Sequence, residues 1–213
     1  MIKYFLFGAL AVFSLIHLIA ILVKKRKIQD ISKVFLVPLI LAVYLAGANR
    51  IFIPVICALF FGWLGDIFLL RIETIKFFRL GLASFLLGHI FYIASMVNYT
   101  DGINTLALLI CVPVFAILGL LMFLFIKPGK EMAIPVIAYE TVILVMVISA
   151  IQLFFAHDSL QGALVLAGAL SFLTSDSTLS LVTFRKKPWY GDLLVMSTYI
   201  AAQLLIVLGL SGI

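Results

Sequence analysis

Two aspartates stand where an apolar chain has little reason to keep them. Asp66 lies in Phe60-Phe61-Gly62-Trp63-Leu64-Gly65-Asp66-Ile67-Phe68-Leu69-Leu70, and Asp176 in Leu173-Thr174-Ser175-Asp176-Ser177-Thr178-Leu179. A carboxylate at the centre of a membrane helix costs roughly 2.5–3.5 kcal/mol on insertion scales, and such groups face a bundle interior and mark a site. Two carboxyls in unlike surroundings can divide acid and base work between them. Further polar groups join them in apolar segments: His89 with Tyr92 at i, i+3, Tyr139 beside Glu140, and Asp192, Met196, Tyr199 and Gln203 at i, i+4, i+7 and i+11. The last set shares one helical face. His89 and Asp192 also have structural readings, as a buried imidazole bonded to a carbonyl and a carboxylate at a helix start.

The elements that hold these groups are membrane helices. The chain is 65% hydrophobic and 11% charged over 213 residues, whereas soluble domains average about 45–50% and 25%. Its net charge of +6 is therefore not read as a nucleic-acid footprint. Eight spans are expected: Lys3–Val23, Lys33–Ala48, Ile51–Leu70, Phe78–Val97, Thr105–Ile126, Ala133–Phe155, Gly162–Phe184 and Tyr190–Leu210. The loops are too short for a soluble domain, so a single all-α transmembrane bundle over 1–213 is expected. Asp66 and Asp176 share a D-x-x-L pattern on spans three and seven, which suggests two four-helix halves in parallel repeat. Ser84 with Gly88, and Ala163 with Ala167, have the spacing of close helix contacts. Cys57 and Cys111 read as small buried hydrophobes.

Thirteen of the fifteen Lys and Arg residues fall at one end of these spans, Lys186 and Lys187 among them, leaving Lys3 and Arg50 opposite. That bias places the basic loops in the cytoplasm and both termini outside. A bacterial inner membrane is the expected setting. At about 1.5 Å per residue, Asp66 lies roughly 7 Å and Asp176 roughly 13 Å inside the basic end, with His89 and Glu140 roughly 15 Å inside. All these depths fit one polar chamber opening toward the cytoplasm.

Several segments together resemble the YhhN-like lysoplasmalogenase family: Gly62 to Leu70, Phe78-Arg79 through Gly88-His89 to Tyr92, Tyr139-Glu140, Gly168 to Ser177, and Thr198 to Gly209, preceded by Ser32-Lys33. The family pattern commonly places Pro after that lysine; here Val34 follows Lys33. The resemblance implies an eight-span hydrolase that splits the vinyl ether of lysoplasmalogens into a fatty aldehyde and glycerophosphoethanolamine or glycerophosphocholine.

That reaction protonates the β-carbon and passes through an oxocarbenium-like cation that water attacks, a demand similar to glycoside hydrolysis. Asp66 and Asp176 are expected as acid and stabilising base, in either order. His89, Glu140, Tyr139 and Tyr92 are expected to position water or tune the pair. Tyr199, Gln203 and Asp192 are expected around the substrate oxygens, and Lys33, Arg71 and Arg185 at its phosphate. No metal or cofactor is expected; the partners are a lysophospholipid and membrane lipids, with no nucleic acid. Two rival readings use the same residues: a proton-coupled transporter or flippase, and a metal-dependent hydrolase with His17, His89 and an aspartate as ligands.

Overall fold

The computed structural model describes residues 2–157, 159–185 and 188–213. Lys186 and Lys187, counted above among the basic loop residues, lie outside them. The helices are α1 (Ile2–Leu22), α2 (Arg26–Gly47), α3 (Ile53–Leu69), α4 (Ile75–Asn98), α5 (Thr105–Ile126), α6 (Lys130–His157), α7 (Leu160–Phe184) and α8 (Gly191–Gly212). Seven are long and apolar enough to cross a membrane; α3, also apolar, has 17 residues, about 25 Å of helix. Large side chains such as Phe5, Leu109, Leu121 and Ile134 are exposed around the bundle. In water such a surface is prohibitive; in lipid it is the expected exterior. The protein is an all-helical membrane bundle.

Helix ends follow local chemistry. Asn104 and Ser159 accept hydrogen bonds from the Ala107 and Gly162 amides, capping α5 and α7. Pro54 occupies the first turn of α3, where a missing N–H costs nothing. The largest departure from expectation is the start of α2. The polar stretch before Lys33 is helix from Arg26, and the connection from α1 is a tight turn through Lys24, at φ 56°. Arg26 and Asp30 pair at i, i+4, 3.0 Å apart, so a segment too polar for the bilayer core is still a sound helix. Arg26, Gln29, Asp30 and Lys33 consequently share one face.

The expected repeat is visible in how helices pack. The α3–α4 and α7–α8 pairs are the most extensive contacts, α2 packs on α3 as α6 does on α7, and α2 meets α8 as α6 meets α4. Exchanging the two halves maps this set onto itself. The outer helices break the pattern: α1 also touches α8, whereas α5 touches α7.

Glycine and serine bring the tight pairs together. Ser84 Oγ donates to the Phe61 carbonyl at 2.6 Å, and a Cβ on Gly88 would lie 3.1 Å from the Ala58 carbonyl, as the Ser84–Gly88 spacing led one to expect. On α7 the expectation fails: Ala167 is exposed. The close approach instead uses Gly168, against the Ile206 amide and the Ala202 carbonyl, and Gly209, against the Gln161 carbonyl. The face is displaced from the alanines because glycine, not alanine, admits backbone contact.

A Cβ on Gly209 would stand 2.7 Å from the Gln161 carbonyl and 3.0 Å from the Val165 amide, both rigid helix backbone. Gly209→Ala is expected to destabilise the bundle by about 1–3 kcal/mol, seen as a lower midpoint of thermal unfolding in detergent. Gly8→Ala, with nothing within 4 Å, is expected to leave that midpoint unchanged; equal effects would refute the packing argument.

Candidate active site

Six helices surround a cavity of about 410 Å³ at the basic end of the bundle. Its floor holds Asp66 of α3 and Asp176 of α7, with Tyr199 and Met196 of α8 beside them. Its mouth is framed by Arg26, Asp30, Glu73 and Asp192. The two carboxyls inferred from separate spans thus open into one chamber.

Each carboxyl is held differently. Asp66 is buried, with Lys33 Nζ 3.3 Å from Oδ1 and the Tyr199 hydroxyl donating to Oδ2 at 2.7 Å. Lys33 reaches it from α2, its side chain 16% exposed, so the ammonium keeps access to the chamber. Behind Tyr199, Gln203 donates to its hydroxyl at 3.4 Å, and Tyr92 donates to Gln203 Oε1. The result is a polar chain from the core of α4 out to the chamber floor. Asp176 has no lysine or arginine partner among the described residues. The Tyr139 hydroxyl donates to its Oδ2, and His89 Nε2 stands 3.9 Å from the same oxygen. That is too long for a hydrogen bond, and both ring nitrogens of the buried His89 lack a partner among the described residues. Neutral polar groups so placed cost about 1–3 kcal/mol.

Aromatic rings join the two carboxyl sites. Phe85 meets Tyr199 edge-on at 5.9 Å, Tyr199 meets Phe172 at 5.5 Å, Phe172 meets His89 at 4.6 Å, and His89 meets Tyr139 at 5.4 Å. Edge-to-face packing fixes ring orientation, and hence the aim of the two tyrosine hydroxyls. Gly65 makes room for this wall: a Cβ there would fall 2.6 Å from the Phe85 ring. Gly62, one turn earlier, similarly admits Gln203. The G-x-x-G-D spacing therefore lets α4 and α8 close around Asp66.

The fold also maps one carboxyl onto the other. Asp66 takes Lys33 from α2 and Tyr199 from α8; Asp176 takes Tyr139 from α6 and faces His89 from α4. Exchanging the halves exchanges α2 with α6 and α4 with α8. The sockets correspond in position and differ in chemistry: where one has an ammonium, the other has a phenol.

Other expected residues stand elsewhere. Arg71 and Arg185 do not line the chamber. Arg71 stacks on Phe77, and Arg185 donates to the Phe125 carbonyl while stacking on its ring, so both are held by aromatic neighbours and Arg185 is engaged with α5. Gln203 and Tyr92 lie behind the floor, and Tyr139 grips a carboxyl instead of lining the chamber. Glu140, half-buried, points toward Gly119 of α5. Asp192 does line the mouth. Arg26 was overlooked because its cluster reads as a topology signal. At the mouth it bonds Asp30 and the Leu70 carbonyl and approaches Glu73 at 3.6 Å; its i+7 spacing to Lys33 was the available clue. His17 lines the chamber with Nδ1 2.8 Å from Ser32 Oγ. Among the described residues no three His, Cys, Asp or Glu side chains group to hold a metal.

The sequence model of the YhhN family matches residues 28–210. No curated protein and no solved structure matches the chain.

Removing one partner of a buried ion pair leaves a charge that nothing offsets. Lys33→Met is expected to lower stability more than Asp66→Asn, since the freed ammonium, 16% exposed on a long side chain, can move out into the chamber while the freed carboxylate stays buried at its floor. Asp66→Asn in the Lys33→Met background is expected to recover at least about 1 kcal/mol, measured by chemical unfolding in micelles. Strict additivity of the two changes would refute the pairing.

Proposed function

The chain belongs to the YhhN family, and from that membership and its chamber we propose that it is a membrane hydrolase cleaving the vinyl ether of single-chain lysoplasmalogens. The observation that carries this reading is one chamber floored by two intramembrane carboxyls with unlike partners. A vinyl ether needs a proton donor for its β-carbon and a base for the attacking water. Asp66, beside an ammonium, is the carboxylate; Asp176, facing a phenol and an imidazole, carries the proton.

The cycle then balances without an outside proton source. Asp176 delivers its proton to the β-carbon, and the α-carbon becomes an oxocarbenium ion. Asp66 takes a proton from water as the water oxygen bonds to that carbon, giving a hemiacetal. Asp176, now ionised, removes the hemiacetal hydroxyl proton as the C–O bond to glycerol breaks. Asp66 returns its proton to the departing glycerol oxygen. The products are an aldehyde and a glycerophospho compound, and both carboxyls end as they began. Lys33 and Tyr199 stabilise Asp66 in its ionised phase, and Tyr139 stabilises Asp176 in its own. Arg26 at the mouth is the cation for the phosphate, which takes the place of Asp30 and Glu73 beside it, while Lys33 stays with Asp66. The chamber faces the cytoplasm by the distribution of basic residues.

The mirrored packing of the halves is also an arrangement used by transporters, so product formation is the discriminating measurement. Purified protein given a lysoplasmalogen is expected to release fatty aldehyde, read by mass spectrometry. Asp66→Asn and Asp176→Asn are each expected to lower kcat by about 10²–10⁴ while remaining folded. Tyr139→Phe and Tyr199→Phe are expected to cost roughly tenfold to a hundredfold in kcat. Glu140→Gln, outside the chamber, is expected to retain most of the rate. Wild-type turnover in either Asn variant, or lipid moved without aldehyde, would overturn the reading.

A further inference from the structure

A second, smaller cavity lies on the other side of Asp176. Its volume is about 50 Å³, and its walls include Phe78, Leu82, Met122, Ile143 and Leu173. Tyr139, Glu140, Ser177 and Ser180 supply its polar atoms, and Asp176 and Leu179 border both this cavity and the chamber. One carboxyl thus stands at the junction of a polar space and a mostly apolar one. A vinyl ether has the same layout: its reacting carbons join a polar glycerol to a hydrocarbon tail.

The outer wall of the small cavity includes Met122 and Ile126 of α5. Of the 22 residues of α5 only Ala107 and Ile126 are buried, one near each end. The ends are fastened. The Asn104 amide donates to Gln152 Oε1 at 2.8 Å, and Gln152 Nε2 donates to the Asn104 carbonyl; Arg185 holds the Phe125 carbonyl. Between them, Pro113 interrupts the backbone ladder, and Gly119 meets α6 without a side chain, near Leu144 and Glu140. The helix is pinned at both ends and weakly held along its length. The small cavity, at about 50 Å³, has room for a few waters at about 10–15 Å³ each and far less than a long hydrocarbon tail fills, so such a tail fits only if this wall yields.

Building on the hydrolase reading, we propose that α5 is a lateral gate. The tail of a single-chain lipid passes from the bilayer between α5 and the α6–α7 pair, fills the small cavity, and brings its first carbons to Asp176 while the headgroup lies in the chamber. The occupant is one hydrocarbon chain, since one cavity of this kind adjoins Asp176 among the described residues.

Photolabelling tests this without requiring turnover. Purified protein in nanodiscs is irradiated with a lysophosphatidylethanolamine bearing a diazirine partway along its single chain, and labelled residues are mapped by mass spectrometry. Labels on Met122, Ile143 or Leu173, competed by unlabelled lysolipid and not by a diacyl lipid, are the expected result. Labels confined to α1 and α2, or no competable label, would overturn the gate. Kinetics give a second measurement. Ser180→Phe, which narrows the cavity, is expected to raise KM for a sixteen-carbon alkenyl chain at least roughly tenfold and to leave a four-carbon analogue unchanged; equal effects on both would overturn the gate. Competable labelling without any aldehyde release would leave the gate standing and remove the hydrolase reading. Aldehyde release with labels elsewhere would do the reverse.

Discussion

A carboxyl inside a bilayer must find its hydrogen-bond donors within the protein, because lipid supplies none. Much of this bundle can be traced to that requirement, applied twice. Asp66 needs Lys33 from α2 and Tyr199 from α8, so α3 packs on α2 and stands within side-chain reach of α8. Asp176 needs Tyr139 from α6, and His89 of α4 approaches it, so α7 and α4 both pack on α6. No donor comes from the carboxyl's own helix. The two sites are interleaved, each half of the chain sending its final helix to the other's aspartate. Neither half is complete alone, which ties the integrity of the site to the closure of the whole bundle.

The differences between the sockets carry the chemistry. Unlike environments set two carboxyls apart, one as donor and one as acceptor. Here an ammonium stands on one side and a phenol on the other. The aromatic wall running from Phe85 through Tyr199, Phe172 and His89 to Tyr139 keeps both hydroxyls aimed. Its rings cannot be shifted singly, since each is the packing surface of the next. The glycines before Asp66 belong to the same device, because α4 and α8 could not close on that wall past a side chain at Gly62 or Gly65.

Much of this was legible in the sequence. Asp66 and Asp176 announce themselves because a lone carboxylate in an apolar run is costly, and loop charge fixes the alternation of helices. The i, i+4, i+7 set on α8 correctly joined Asp192, Met196 and Tyr199, which line the chamber together. Most of what failed has one cause: depth along a helix is readable from sequence, but azimuth between helices is not. Arg71 and Arg185 sit at a suitable level and turn to Phe77 and Phe125 instead. Glu140 has a suitable depth and faces α5. Arg26 was missed for the opposite reason, since a basic cluster looks like a loop until its pairing with Asp30 makes it helix.

The central claim is that a carboxyl proton is placed on carbon while a second carboxyl activates water. Turnover in D₂O addresses the first half directly, with the released aldehyde reduced immediately and its isotope content read by mass spectrometry. One deuterium on the carbon next to the former carbonyl, in every product molecule of the first turnover, is the expected result. Aldehyde lacking that deuterium, or lipid recovered intact, would contradict it.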